Sequence, residues 1–185
     1  MQTVLLVEGA SDRIAIETLA RRRSQDLTET LVVSLDGVTN ASKAIAKWGP
    51  RGRDVRMAGL CDVGEERYIR GGLERVGLGP ILTRDDMERL GFFVCVADLE
   101  DELIRRLGTA AVEDVLAAEG DLPGFRVFQN QPFQRDRTAE QQLHRYLGTT
   151  SGRKAQYARA LVEGLDFARV PRPLESVLDF VAQAA

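Results

Sequence analysis

The chain has 185 residues, of which 44% are hydrophobic and 29% are charged, and its net charge is −3. This length suits one ordinary domain with a substantial core, and the composition is that of a globular protein rather than a disordered one. No apolar run reaches the roughly 20 residues that a membrane-spanning helix needs, and the first residues lack the basic stretch of a signal peptide. We therefore expect a cytoplasmic protein that has no contact with the membrane.

Carboxylates are the side chains that this composition offers for chemistry, since there are 28 of them. The single histidine, His144, excludes a His-rich metal site, and Cys61 and Cys95 lie in apolar runs, where buried free thiols are expected. Arginine outnumbers lysine by 22 to three. Arginine suits phosphate contacts, but a GC-rich genome would give the same bias without any functional meaning. The arginines cluster locally, and two of them, Arg51 and Arg53, are candidate nucleic-acid contacts. The acidic net charge gives no general signature of nucleic-acid binding.

The first 100 residues alternate between strand and helix patterns. Four short apolar runs predict buried strands over residues 3–9, 30–37, 54–62 and 91–97. Apolar residues at helical spacing predict helices over residues 11–23, 40–48 and 98–108, with Ser11 and Asn40 as candidate N-caps. The glycine-rich segment 64–80 is predicted to be irregular, with its glycine pairs in turns. Strands that alternate with helices predict a mostly parallel four-stranded sheet covered on both faces.

After residue 108 the pattern becomes helical. Four amphipathic segments, separated by prolines, predict helices over residues 109–120, 139–148, 151–165 and 173–183. No long linker divides the chain. We therefore predict an α/β core over residues 1–108 and a helical C-terminal extension over residues 109–185 that packs on the same domain.

Acidic residues follow three of the four predicted strands. Glu8 and Asp12 follow the first strand, Asp62 ends the third, and Asp98 and Glu100 follow the fourth. In a parallel sheet the carboxyl ends of the strands meet at one edge, where ligands bind. Asp12 and Asp98 also have a structural interpretation, as a residue favoured in the first helical turn and as an N-cap. A cluster of carboxylates without His or Cys suits Mg²⁺ or Mn²⁺.

These segments resemble a Toprim domain, the Rossmann-like fold shared by topoisomerases, primases, maturases and OLD-family (overcoming lysogenization defect) nucleases. Residues 4–20 are similar to its opening motif, in which a hydrophobic strand is followed by Glu-Gly and by Asp four residues after the Glu. Gly37 closes the second element, and residues 62–64 stand where the family has Asp-x-Asp. Residues 92–103 and 151–181 are similar to the Toprim region of OLD-family nucleases in particular.

The resemblance implies cleavage of phosphodiester bonds with the help of two Mg²⁺ or Mn²⁺ ions. It assigns the first ion to Glu8, Asp12 and Asp62, with Glu8 central to catalysis. It assigns the second ion to Glu100 with the help of Asp98.

The late motif of the OLD branch adds basic residues to this site. Lys154 corresponds to its lysine and would stabilise the charge of the transition state; its alternative interpretation is a solvated residue at a helix start. The backbone of Ser151 and Gly152 and the side chain of Arg153 are further candidates for phosphate contact.

The chain departs from the family pattern in two places. Gly64 replaces the second acid of Asp-x-Asp, and Glu65 or Glu66 could substitute only at a different spacing. The phosphate-binding motif GxxxxGK[ST] is missing, so any ATPase or helicase would be a separate subunit.

The function implied by the resemblance is that of a DNA endonuclease or nickase, for which a homodimer would help to cut two strands. One alternative is a catalytically weakened Toprim module that binds nucleic acid or a partner ATPase. Another is a hydrolase that processes RNA, although DNA is the favoured substrate.

Overall fold

The four predicted apolar runs form the four strands of one parallel sheet. The computed structural model describes residues 3–148 and 153–183. Its strands are β1 (Thr3–Val7), β2 (Thr30–Ser34), β3 (Arg56–Asp62) and β4 (Phe92–Cys95), in the spatial order β2-β1-β3-β4. All three pairings are parallel. The predicted α/β class and the parallel four-stranded sheet are confirmed.

Helices cover both faces of this sheet. Those of the described residues are α1 (Ala10–Arg22), α2 (Ala41–Trp48), α3 (Glu66–Arg75), α4 (Arg84–Arg89), α5 (Leu99–Leu107), α6 (Thr109–Ala118), α7 (Leu122–Gln129), α8 (Ala139–Leu147), α9 (Arg153–Gly164) and α10 (Arg172–Ala182). Short 3-10 turns lie at residues 38–40, 132–134 and 167–169. No helix in this part of the chain is long and apolar enough to cross a bilayer.

Side chains of β1 alternate between two hydrophobic cores, as the period of two in a strand requires. Leu5 and Val7 pack with α1, α5 and the C-terminal helices, whereas Val4 and Leu6 pack with α2, α3 and α4. A strand buried on both faces is therefore apolar along its whole length, which is why β1 shows no polar alternation.

Helices from beyond residue 108 complete the first of these cores. α9 packs along α1, and α10 packs against β3 and β4. Arg56 joins α10 to the sheet, because its Nη2 donates to the Phe180 carbonyl (2.8 Å) while its guanidinium lies 4.1 Å from the centre of the Phe180 ring. The boundary that we placed at residue 108 stays a prediction.

Some local predictions were wrong. Within the segment 64–80, which was predicted to be irregular, residues 66–75 form α3, and this helix runs through Gly71 and Gly72. A Cβ at Gly72 would lie only 2.8 Å from Cδ1 of Ile45, so this glycine lets α2 and α3 approach closely. Gly77, with φ of +93°, does form the predicted turn. Helices α4 and α7 were not predicted.

The predicted caps also differ from the structure. α1 begins at Ala10 with Gly9 as its N-cap, so Ser11 lies inside the helix. The Asp12 side chain accepts a hydrogen bond from the Gly9 N–H (2.8 Å), and it thereby satisfies a free donor at this helix start. Asn40 stands at the N-cap of α2, but its amide donates to the Leu35 carbonyl (2.9 Å) instead of capping.

Candidate active site

Two acidic residues stand at the point where the strand order of the sheet reverses. The chain crosses from β1 outward to β2 and then returns to β3 on the other side of β1, so the carboxyl ends of β1 and β3 flank the reversal. Glu8 directly follows β1, and Asp62 is the last residue of β3. Ligands of open parallel sheets bind in the crevice at such a reversal. The topology therefore places these carboxylates where a ligand is expected.

Carboxyl groups at this edge are close enough for their charges to affect one another. The Glu8 carboxyl raises the pKa of both Asp62 and Glu65. Burial, followed by hydrogen bonding to Glu8 and the charges of Glu8 and Asp12, raises the pKa of Asp62 well above its ordinary value. Burial and the charge of Glu8 raise the pKa of Glu65 to about 7. The edge therefore carries mutual repulsion that protons or a cation would relieve.

Asp12 reaches the same edge from the first turn of α1. It is 9% exposed, and burial raises its pKa to about 6, against the opposing hydrogen bond from Gly9. The charges of Glu100 and Glu8 raise the pKa further. Asp12 thus accepts a hydrogen bond at the helix start and also adds its carboxyl to the acidic edge.

Asp98 is the N-cap of α5 and also contacts the only histidine. One oxygen accepts the backbone N–H of Asp101 (2.8 Å), and Oδ2 lies 2.6 Å from Nε2 of His144 on α8. Burial acts to raise the pKa of Asp98, but the hydrogen bonds from His144 and Asp101 outweigh it and leave the pKa below its ordinary value. The hydrogen bond to Asp98 raises the pKa of His144 in turn.

Glu100, in the first turn of α5, lies opposite Lys154 of α9. Glu100 is 5% exposed, and Nζ of Lys154 lies 3.4 Å from its Oε1 without a well-aligned hydrogen bond. Burial acts to lower the pKa of Lys154, but the charges of Glu100 and Asp98 outweigh it and raise the pKa. A cavity of about 410 Å³ opens here between Glu100, His144 and Lys154.

The candidate nucleic-acid contacts are not gathered at this edge. Arg51 and Arg53 lie in the turn before β3, at the opposite edge of the sheet, where the Arg53 guanidinium is 4.7 Å from the centre of the Trp48 ring. Arg153 is held against Asp121 (Nε to Oδ2, 3.2 Å) and lies over the Tyr146 ring. Ser151 and Gly152 lie outside the described residues.

His144 is the site residue that sequence reasoning missed. Its ring contacts Asp98, which lies 46 residues earlier in the chain. No local signal in the sequence links the two residues. The pairing depends on how α8 packs against α5.

The donor set has the right chemistry for a hard divalent cation, since it consists of carboxylate oxygens. Among residues 3–148 and 153–183, however, no three His, Cys, Asp or Glu side chains stand close enough to hold a metal ion as they are. The repulsion between Glu8, Asp62 and Glu65 is what a cation would remove. The residues therefore fit Mg²⁺ or Mn²⁺ by the chemistry of their oxygen donors.

Comparison with known proteins identifies the fold. No protein-family model matches this chain, and no curated protein matches it. Among solved structures it is similar to the C-terminal region of the Burkholderia pseudomallei OLD protein, with a TM-score of 0.75, 20% identity and coverage of 98% of this chain and 97% of that one. It is also similar to the C-terminal region of the Xanthomonas campestris pv. campestris OLD protein, with a TM-score of 0.78, 23% identity and coverage of 99% and 93%. The chain thus has the fold of OLD C-terminal regions, as its motifs predicted.

Proposed function

We propose that this chain is a divalent-metal-dependent phosphodiester hydrolase of the Toprim type that acts on DNA as an endonuclease or nickase. The observation that carries the proposal is the gathering of Glu8, Asp12 and Asp62 at the reversal point of the sheet, in a fold shared with OLD C-terminal regions. Carboxylates that repel one another at a ligand-binding edge are costly to keep without a cation to bind.

Each residue of the edge has a role in this proposal. Glu8 and Asp62 would hold Mg²⁺ or Mn²⁺, and Asp12 would support them from the first turn of α1. When bound, the cation would activate a water molecule and neutralise charge on the phosphate. Lys154 would place a positive charge against the phosphate oxygens. Glu65, whose pKa is raised by the charge of Glu8, is the side chain nearest in role to the acid missing at Gly64.

Cleavage of supercoiled plasmid DNA tests this function. Purified protein is incubated with Mg²⁺, with Mn²⁺ or with EDTA, and wild type is compared with Glu8→Ala. Glu17→Ala is the matched control, because Glu17 lies on the exposed side of α1 in an ion pair with Arg13 (2.7 Å). We expect metal-dependent nicking by wild type and Glu17→Ala and its loss in Glu8→Ala. Inert but folded wild type would contradict the proposal.

A second candidate function is a weakened Toprim module that binds nucleic acid or a separate ATPase. Gly64 favours it, because the second acid of Asp-x-Asp is missing there. This function predicts metal-independent DNA binding in fluorescence anisotropy without any nicking. Either function is compatible with a cytoplasmic location, a separate ATPase or helicase subunit and a homodimer. RNA is the alternative substrate, and it should be compared with DNA in the same assays.

A further inference from the structure

The carboxylates of the candidate site divide into two groups by their contacts. The edge group consists of Glu8, Asp12, Asp62 and Glu65, whose carboxyls influence one another. Within the described ranges, no ion pair with Lys, Arg or His involves any of these four. The edge group therefore has no direct ion pair in this part of the chain, and the charge of Lys154 reaches Asp62 only from a greater distance.

The helix group, Asp98 and Glu100, has the opposite character. Both residues lie at the start of α5, and each contacts a basic side chain from the C-terminal helices. His144 lies 2.6 Å from Asp98, and Lys154 lies 3.4 Å from Glu100. The protein itself thus supplies the positive charge that these two carboxylates need.

Gly64, two residues after Asp62, offers no side-chain ligand where the resembling family has its second acid. An added Cβ at Gly64 would meet no atom within 4 Å, so steric crowding does not explain the glycine. A second divalent cation at Asp98 and Glu100 would have two carboxylates and no third from position 64. His144 already contacts the first of these carboxylates, and Lys154 already contacts the second. The positive charges of these basic groups would repel a divalent cation bound at such short range.

We propose that this chain holds a single divalent cation at Glu8 and Asp62, and that His144 and Lys154 take the electrostatic place of a second cation at Asp98 and Glu100. The inference rests on the proposed function for the position of the first cation. It departs from the two-ion arrangement that the resemblance implies. Asp98 and Glu100 then position His144 and Lys154 beside the cavity instead of binding metal.

Titration of the full chain with Mn²⁺ alone measures the stoichiometry without any need for activity. The bound ion is followed by calorimetry and by the loss of the free Mn²⁺ signal in electron paramagnetic resonance. We expect about one ion per wild-type chain and none in Glu8→Ala. Two ions per wild-type chain would overturn the inference, and so would none. One bound ion without plasmid cleavage would refute the proposed function while the inference stands.

A set of variants tests whether the two basic residues exclude the second cation. The triple variant combines Gly64→Asp with His144→Gln and Lys154→Met. The first substitution supplies the missing acid, and the other two remove the positive charges that contact Asp98 and Glu100. We expect this variant to bind about two Mn²⁺ ions per chain, with folding verified by circular dichroism. A folded triple variant that still binds one ion would overturn the inference.

The matched control keeps both basic contacts while it removes a neighbouring positive charge. Arg145 follows His144 on α8, is exposed, and forms no ion pair with the residues that the structure describes. Gly64→Asp combined with Arg145→Gln should therefore still bind one ion. Two ions in this control would show that His144 and Lys154 do not decide the stoichiometry, which would also overturn the inference.

Discussion

Replacing Asp12 with Asn should stabilise the metal-free protein above pH 6. Asp12 is buried, and its pKa in the folded protein is raised from 3.8 to about 6, chiefly by burial. Between these two values the folded state binds more protons than the unfolded state, so stability falls as the pH rises through this window. Above pH 6 the folded protein carries the full cost of the buried charge. Asn removes the charge and keeps an oxygen that can accept the Gly9 N–H.

The size of the effect follows from the shift. About two pKa units, at about 1.4 kcal/mol each, set an upper limit of about 3 kcal/mol for the gain in unfolding free energy at pH 8. In a chain of this length, about 1 kcal/mol changes Tm by about 2–4 °C. A rise of several degrees in Tm is therefore expected for Asp12→Asn at pH 8. The gain should be small at pH 5, where Asp12 is mostly protonated in the folded wild type.

Thermal unfolding followed by circular dichroism in EDTA, at pH 5 and pH 8, measures both values. Glu17→Gln, an exposed change on the same helix, controls for the general effect of removing one negative charge. An Asp12→Asn protein that is less stable than wild type at pH 8 would refute the reasoning. It would mean that the carboxylate contributes more through its hydrogen bond to Gly9 than its burial costs.

Two further predictions concern the sheet and the helix group. Gly59→Ala in β3 should lower the unfolding free energy, measured by urea denaturation, by about 1–3 kcal/mol, because the new Cβ would lie 2.4 Å from a ring carbon of Phe92 in β4. Gly64→Ala is the control, since its Cβ would enter open space and should change the unfolding free energy by less than about 0.5 kcal/mol. Asp98→Asn should lower the pKa of His144, because the negative charge that strengthens the hydrogen bond and favours the protonated ring is removed. A proton NMR titration of this single histidine measures the pKa, and an unchanged value would contradict the contact.

The sheet could be predicted because its strands are short apolar runs of the kind that parallel strands require. Helix ends were harder, since Gly9 caps α1 only with the help of the Asp12 side chain. Helix α3 was missed because Gly71 and Gly72 suggest a turn when they are considered alone. Gly72 lies where α3 packs closely against Ile45 of α2, which is a tertiary contact that a local pattern cannot show.

The acidic edge was predictable for a topological reason. Once alternating strands and helices imply a parallel sheet, the residues that follow each strand must meet at one edge, whatever their separation in the chain. Glu8 and Asp62 are brought together in this way although 54 positions separate their numbers. The same reasoning places Arg51 and Arg53, which precede a strand, at the opposite edge.

The partners of Asp98 and Glu100 could not be predicted, because no rule of sheet topology positions the C-terminal helices. His144 reaches Asp98 only because α8 packs against α5, and Lys154 reaches Glu100 from α9. Under the single-cation proposal, these two contacts neutralise two carboxylates that the resemblance assigns to a second cation. The number of cations at such a site would then depend on which carboxylates are already paired with basic side chains, and a count of acids in the sequence would overstate it.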